Sequence, residues 1–186
     1  AFDIFCDRDE ALVIWDGLMR ASAQVRPVGE QALEQMRMEA GQVRYGEDLE
    51  YHPKIIPIEA DLNDIISYDK GCFLGQEVIH RLDTRGRPAK MLRVLVPEDP
   101  EVELRPGDRI HGAEGKRAGE VLAGFRSPQL EDHSFGLAYV KRGSYDLDTQ
   151  VTLARAEDAG DGEGGPTELV RARVARLGEP LRMVHP

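Results

Sequence analysis

The second half of this 186-residue chain is a succession of short β-type segments separated by turns. Residues 91–96 have the apolar, β-branched composition of a strand, and five similar runs follow, bounded by glycine, proline or aspartate. These runs span residues 109–111, 118–125, 135–140, 149–154 and 168–177. Such spacing predicts a small antiparallel barrel or sandwich over residues 89–186. The acidic, glycine-rich segment 157–166 predicts a mobile hairpin loop within it.

The first half of the chain, residues 1–88, mixes strand and helix patterns, so the fold class is expected to be α+β. Residues 1–6 alternate like a strand, and Asp7 or Asp9 is a candidate cap for a following helix. That helix is predicted to turn five apolar side chains towards a core: Leu12, Ile14, Trp15, Leu18 and Met19. Further helices are predicted over residues 29–40, where Gly41 supplies a left-handed stop, and over residues 76–82.

Composition limits the partners and the compartment. The charged fraction of 31% and the mean hydropathy of −0.43 predict a soluble protein with no membrane span. The 24 basic and 34 acidic residues give a net charge of −10, which opposes nucleic-acid binding over the whole surface. Two cysteines and five scattered histidines predict no disulfide scaffold and no metal site, and a reducing cytoplasm is expected.

The densest chemical feature is the segment KGCFLGQE, residues 70–77. Cys72 lies between Gly71 and Gly75 at the expected start of a helix, where unsatisfied backbone N–H groups and the nearby Lys70 favour a thiolate. The alternative is a buried cysteine in a tight turn. Cys6, in the predicted first strand, is expected to be structural.

Two further features carry charge. Arg81, Arg85, Arg87, Lys90 and Arg93 oppose only Asp83, so this stretch either holds a phosphate or polycarboxylate or forms a solvated, charge-balanced surface. Glu39 stands at the end of a predicted helix, where a carboxylate is unfavourable without a partner. That partner is either the N–H groups of a ligand or one of the arginines Arg37 and Arg44.

The motif KGCFLGQE, followed by Arg81 and by Arg85-Gly86, closely resembles the signature of the YgfZ family of folate-binding proteins. Relatives of that family are the aminomethyltransferase (T-protein, GcvT) of the glycine cleavage system and the mitochondrial iron-sulfur assembly factors. Residues 37–49, 56–62 and 119–140 resemble the corresponding segments of the superfamily. The resemblance implies that residues 1–88 form the last part of a ferredoxin-like, GcvT-like folate-binding region and that residues 89–186 form the C-terminal barrel.

The same resemblance implies roles for individual residues. Glu39 matches a carboxylate that grips the pterin of tetrahydrofolate, and Lys70 falls where the transferase branch has a basic residue. Cys72 matches the cysteine of the YgfZ branch and is expected to act as a nucleophile or a transient ligand. Gly71, Gly75, Gln76 and Glu77 complete the motif, and Arg81, Arg85 and Arg87 are expected to attract the anionic tail of folate or an anionic partner, with binding that weakens as salt rises.

The expected function is therefore a tetrahydrofolate-binding accessory role in the synthesis or repair of iron-sulfur enzymes, including those on which tRNA modification depends. Its expected partners are iron-sulfur client or assembly proteins and a missing N-terminal portion of the same protein. The alternatives are a T-protein-like aminomethyltransferase and a module of a larger sarcosine- or dimethylglycine-oxidising enzyme. The catalytic aspartate of the transferase branch lies in an N-terminal portion that this chain does not contain, so the sequence leaves enzymatic activity open.

Overall fold

The structure is a computed structural model that describes residues 2–44, 56–128, 131–155 and 169–177. The chain forms two compact units, Ala1–Glu34 and Gln35–Pro186. The division predicted at residue 88 stays a prediction, and the predicted hairpin loop at residues 157–166 lies outside the described residues. No helix in the described ranges is long and apolar enough to cross a membrane.

The unit Ala1–Glu34 contains helix α1, Ala11–Ala21, and the first half of helix α2, Glu30–Glu39. None of its described residues is buried, and Leu12 is 76% exposed, so the prediction that the apolar face of α1 packs in a core is wrong here. Helical spacing predicts which side chains of a helix share one face, but it does not predict whether another part of the protein packs against that face.

Three further expectations about this unit are wrong. Residues 2–6 form no strand, because a strand requires a paired neighbour for its backbone hydrogen bonds and none lies beside them within the described unit. The cap of α1 is Glu10, without a side-chain hydrogen bond, and neither predicted aspartate takes that place. Cys6 is exposed and free, so it is not a core residue of a strand.

Helix α2 ends as its sequence predicts. Gly41 has a φ of 69°, in the left-handed region. Its N–H donates to the carbonyl of Met38, and the N–H of Gln42 donates to the carbonyl of Arg37, each at 3.0 Å. This pair of bonds is the Schellman arrangement, which satisfies carbonyls at the end of the helix.

Six antiparallel strands form a closed barrel, with the neighbour order β1-β4-β3-β2-β5-β6. The strands are β1 Lys90–Pro97, β2 Arg109–His111, β3 Arg117–Ser127, β4 His133–Lys141, β5 Gln150–Ala154 and β6 Leu169–Ala175. Each coincides with one of the predicted runs within two residues at either end. The barrel is confirmed and the sandwich is not, because β6 returns to pair with β1.

The barrel strands β1 and β4 are buried on both faces. Met91 and Leu95 of β1 belong to the interior cluster of the barrel, whereas Leu92 belongs to a second cluster on the outside. That second cluster joins Met38 of α2 and Ala60 to the outer side of β1 and β4. Both strands are therefore nearly continuous in apolar residues, since neither face meets water.

Short helices connect α2 to the barrel. Two 3-10 helices, Pro57–Ala60 and Asn63–Ile65, precede helix α3, Gln76–Arg85. The last of these was predicted over residues 76–82 and is three residues longer. The fold is thus α+β, with a six-stranded barrel and a few helices.

Candidate functional site

In the segment KGCFLGQE, residues 70–75 form a largely exposed loop and Gln76 and Glu77 begin α3. Cys72 is exposed and free, so the alternative of a buried cysteine is wrong in this structure. Lys70 precedes Cys72 by two residues, and the Nζ of Lys70 lies over the ring of Phe73, 4.8 Å from its centroid. This contact is a cation–π interaction, which orients the ammonium group.

The sequence predicted Cys72 at the start of a helix, and this prediction is wrong. The first helical residue is Gln76, four positions later, because Gly75 adopts a left-handed conformation with a φ of 87° that interrupts helical backbone before it. Gln76 and Glu77 form the first turn of α3, and Glu77 places a negative charge there. The carboxylate is favourable at that end of the helix dipole.

Glu39, at the C-terminal end of α2, is held by the barrel. Its side chain is 4% exposed, and its Oε1 accepts a hydrogen bond from Oγ of Ser127 at the end of β3. One turn earlier in α2, Nε2 of Gln35 donates to the carbonyl of Arg126. Two consecutive residues of β3 therefore fix the last turn of α2, and with it the Glu39 carboxylate.

Replacing Ser127 by alanine is expected to lower the free energy of unfolding by about 1–3 kcal/mol, because a buried carboxylate oxygen loses its hydroxyl donor. Urea denaturation of both proteins measures the difference. The control is Thr84→Ala, which removes an exposed hydroxyl that donates to the carbonyl of His80 within α3. Equal effects of the two substitutions would contradict the role given to Ser127.

The basic run that begins at Arg81 is divided by the fold. Arg81 is exposed on α3, and the side chain of Arg85 lies outside the described part. Arg87 pairs with Asp146 and lies over the ring of Tyr145. Arg93 is buried and pairs with Asp61 at 2.5 Å. An anion-binding role for Arg81, Arg85 and Arg87 stays a prediction, and Arg93 is a structural residue.

The carboxyl group of Glu59 is buried near Lys90, the remaining cation of the basic run from Arg81 to Arg93. Glu59 is 8% exposed, and its Oε2 has no hydrogen-bond partner among the described residues. Burial raises the pKa of Glu59, although the neighbouring Lys90 acts in the opposite direction. Burial likewise lowers the pKa of Lys90, which Glu59 partly restores. Nζ of Lys90 lies 4.7 Å from the ring centroid of Tyr139.

This pair predicts a pH effect on stability. The folded protein holds the Glu59 proton more tightly than the unfolded chain, so the stabilising contribution is present below the ordinary pKa of 4.5 and is lost as pH rises through the raised value. We expect the free energy of unfolding of the wild type, relative to Glu59→Gln, to fall as pH increases from 4.5. Urea titrations across this range measure it.

The control for this effect is Glu98→Gln, which removes an exposed carboxylate. We expect its difference from the wild type to vary less with pH. A difference between wild type and Glu59→Gln that stays constant or grows as pH rises would contradict the role of burial.

The structure brings the predicted site residues together in two groups. Lys70, Gly71, Cys72, Gly75, Gln76 and Glu77 share one loop and helix start, whereas Glu39 lies against β3. Across the described ranges, no hydrogen bond or ion pair joins Glu39 to Lys70 or Cys72. The same ranges contain no group of three or more metal-ligating side chains.

Sequence reasoning missed Ser127 and Glu59. Ser127 is 88 positions from Glu39, and nothing in the local sequence signals their contact. Glu59 did carry a signal, because it stands between Ile58 and Ala60 in a short apolar stretch.

Comparison of the chain with known proteins agrees with this architecture. The fold resembles the crystal structure of glycine cleavage system aminomethyltransferase T from Bartonella henselae, with a TM-score of 0.72 and 24% identity over 90% of this chain and 43% of that one. The fold of this chain thus matches somewhat less than half of that solved structure.

The sequence comparisons point the same way. Residues 1–70 match the family described as GCVT N-terminal domain. A relative from Xylella fastidiosa (strain M12), named aminomethyltransferase, is 32% identical over 143 residues, which cover 76% of this chain and 36% of the relative. Another of that name, from Geobacillus sp. (strain WCH70), is 30% identical over 82% of this chain and 41% of the relative. These matches support the aminomethyltransferase-like superfamily, and the chain spans about two fifths of the length of such relatives.

Proposed function

We propose that this chain is part of a tetrahydrofolate-binding accessory protein of the YgfZ type that supports the synthesis or repair of iron-sulfur enzymes. The observation that carries the proposal is Cys72, an exposed, free thiol in the loop that precedes α3. A thiol in this position is accessible to a protein client or to a cluster in transit, whereas a buried thiol is inert. The motif around it, KGCFLGQE, is the most specific part of the resemblance to that family.

Cys72 would act as a nucleophile or as a transient ligand. The thiolate is the reactive form in either case, and Lys70, two residues away, supplies positive charge nearby. One thiol does not provide the four ligands that an iron-sulfur cluster usually takes. In this proposal the cluster belongs to the client protein, and the accessory protein contacts it only transiently.

The residues present fit a folate with N–H groups on its ring. A carboxylate offers two oxygens with about four acceptor positions, and Glu39 uses Oε1 for one hydrogen bond from Ser127. In this proposal the remaining acceptor positions of Glu39, which is 4% exposed, receive the donors of a pterin, and Ser127 fixes the orientation of the group. Glu39 and Lys70 are the residues that would hold tetrahydrofolate, which carries one-carbon units when bound.

The partners in this proposal are iron-sulfur client or assembly proteins and the remaining portion of the folate-binding region, in the cytoplasm. The net charge of −10 opposes broad nucleic-acid contact, so an effect on tRNA modification would pass through client enzymes. The proposal includes no contact with a membrane.

The experiment is rescue of iron-sulfur enzyme activity in cells that lack the full-length protein. We expect the wild type to rescue and Cys72→Ala to lose most of the rescued activity, with a partial loss for Glu39→Gln. The matched control is Cys6→Ala, which removes the other exposed, free thiol and should rescue fully. Rescue by Cys72→Ala at the level of Cys6→Ala would remove the thiol from the function.

A second candidate is an aminomethyltransferase of the glycine cleavage system. It is favoured by the name that the relatives share and by the buried, fixed carboxylate of Glu39. A reconstituted glycine cleavage assay with the full-length protein separates the two candidates. Turnover that is lost in Glu39→Gln and kept in Cys72→Ala would favour the transferase, and no turnover would dismiss it.

A further inference from the structure

We propose that the outer face of the barrel carries a binding site for a small oxyanion, where β1, β3 and β4 meet. Lys90, Arg117 and Lys141 line one cavity of about 230 Å³ there. The ligand class is a small molecule with a carboxylate or phosphate group. The residues that line this cavity include neither Glu39 nor any residue of the Cys72 loop. The proposed site therefore goes beyond the proposed function.

The register of the barrel creates the positive charge. Lys90 of β1 lies directly opposite Lys141 of β4. Like charges directly opposite each other on neighbouring strands are unfavourable. This pair of lysines occurs in a chain that has more acidic than basic residues. An anion bound between the two ammonium groups removes the repulsion.

The lysines are not neutralised equally. Lys90 has Glu59 nearby, whereas the exposed Lys141 makes no side-chain hydrogen bond or ion pair with any residue in the described ranges. An unpaired ammonium group that lines the same cavity as a second lysine provides the donors and the charge that an oxyanion requires.

Arg117 adds a third cation to the same cavity. Its Nη2 contacts Oε2 of Glu120 at 2.7 Å, and Glu120 also lines the cavity. A guanidinium group has five N–H donors, so one ion pair leaves further donors for a ligand. With Glu59 and Glu120 both counted as ionised, the three cations still leave the site positive.

The size and the remaining walls limit the ligand. Leu122 and Tyr139 supply apolar surface, and Gly119 adds no side chain to the cavity. A volume of about 230 Å³ is below the range of roughly 300–1,000 Å³ that is common for sites of drug-sized ligands. The site therefore suits a small anion, with or without a compact ring.

The test is titration of the full 186-residue chain with inorganic phosphate, phenyl phosphate and benzoate. Backbone amide chemical shifts, measured by NMR at each ligand concentration, monitor binding. We expect saturable shifts at Gly119, Leu122 and Lys141 that weaken as salt rises. Lys141→Gln is expected to weaken the affinity by about tenfold, since it removes one full charge at the cavity. Saturation by phenyl phosphate but not by benzoate would identify a phosphate site, and saturation by both would identify a site that accepts carboxylates as well.

The matched control is Arg173→Gln, which removes a cation paired with Asp148 and outside this cavity. Its affinities should equal those of the wild type. No saturable shifts at the cavity, or equal affinities for Lys141→Gln and the wild type, would overturn the proposal. Failure here leaves the Cys72 rescue experiment unaffected, because that experiment measures neither Lys141 nor anion binding.

Discussion

Replacing Gly124 with alanine is expected to destabilise the barrel by more than about 4 kcal/mol, a loss that belongs to the exceptional class of single substitutions. A Cβ at Gly124 would lie 1.6 Å from the carbonyl oxygen of Leu104 and 2.7 Å from its carbonyl carbon. Both atoms are backbone, so no side-chain rotation relieves the overlap. Gly124 pairs with Gly136 across β3 and β4, where the segment containing Leu104 crosses close to the sheet.

The measurement is the yield of folded protein and its urea midpoint. Gly17→Ala is the control, because nothing lies within 4 Å of a Cβ built there and alanine is favoured in the interior of helix α1. That variant should be as stable as the wild type or up to about 1 kcal/mol more stable. A folded Gly124→Ala protein with an unchanged urea midpoint would contradict the close approach of Leu104.

Replacing Asp61 with asparagine is expected to cost about 3 kcal/mol or more, because it leaves the buried guanidinium of Arg93 without its counter-charge. Nη1 of Arg93 contacts Oδ2 of Asp61 at 2.5 Å, and its Nε donates to the carbonyl of Tyr145 at 2.9 Å. Asp61 is left-handed, with a φ of 57°. Asparagine tolerates that backbone conformation, so the substitution reports the lost charge.

Two variants control for this result. Asp64→Asn removes an exposed carboxylate three residues away and should change the free energy of unfolding by less than about 0.5 kcal/mol. The double variant Asp61→Asn with Arg93→Met removes both charges of this pair and should recover part of the stability, since no uncompensated charge remains at the buried position of Arg93. A double variant less stable than Asp61→Asn alone would argue against an uncompensated charge as the cause.

The individual strands of the barrel were predictable from local sequence. Residues 109–111 were predicted as a strand and form β2, Arg109–His111, because turn residues on both sides delimit the run. Helix α2 and its end at Gly41 were predictable for the same reason, since helical spacing and a glycine stop act over a few residues. Whether the strands close into a barrel or stack as a sandwich was not predictable, because closure depends on the pairing of β1 with β6.

The candidate site was predictable only in part. The motif around Cys72 identified a candidate thiol, but its exposure and its distance from the helix start depend on the conformation of Gly75. The partner of Glu39 was expected to be a ligand or one of two arginines, and the structure adds Ser127 of the barrel. The basic run from Arg81 to Arg93 looked continuous, yet three of its members face separate carboxylates: Arg87 faces Asp146, Lys90 faces Glu59 and Arg93 faces Asp61.

The sequence by itself determined the elements whose signals are local: six strands, three helices, the left-handed stop at Gly41 and the motif that holds Cys72. Tertiary structure alone decided which charges meet. Lys90 and Lys141 are 51 positions apart and lie opposite each other only because β1 pairs with β4 in one register. Local sequence determines backbone preferences over a few residues, whereas the surroundings of a charge depend on strand pairing between distant segments, and a pattern along the chain does not contain that information.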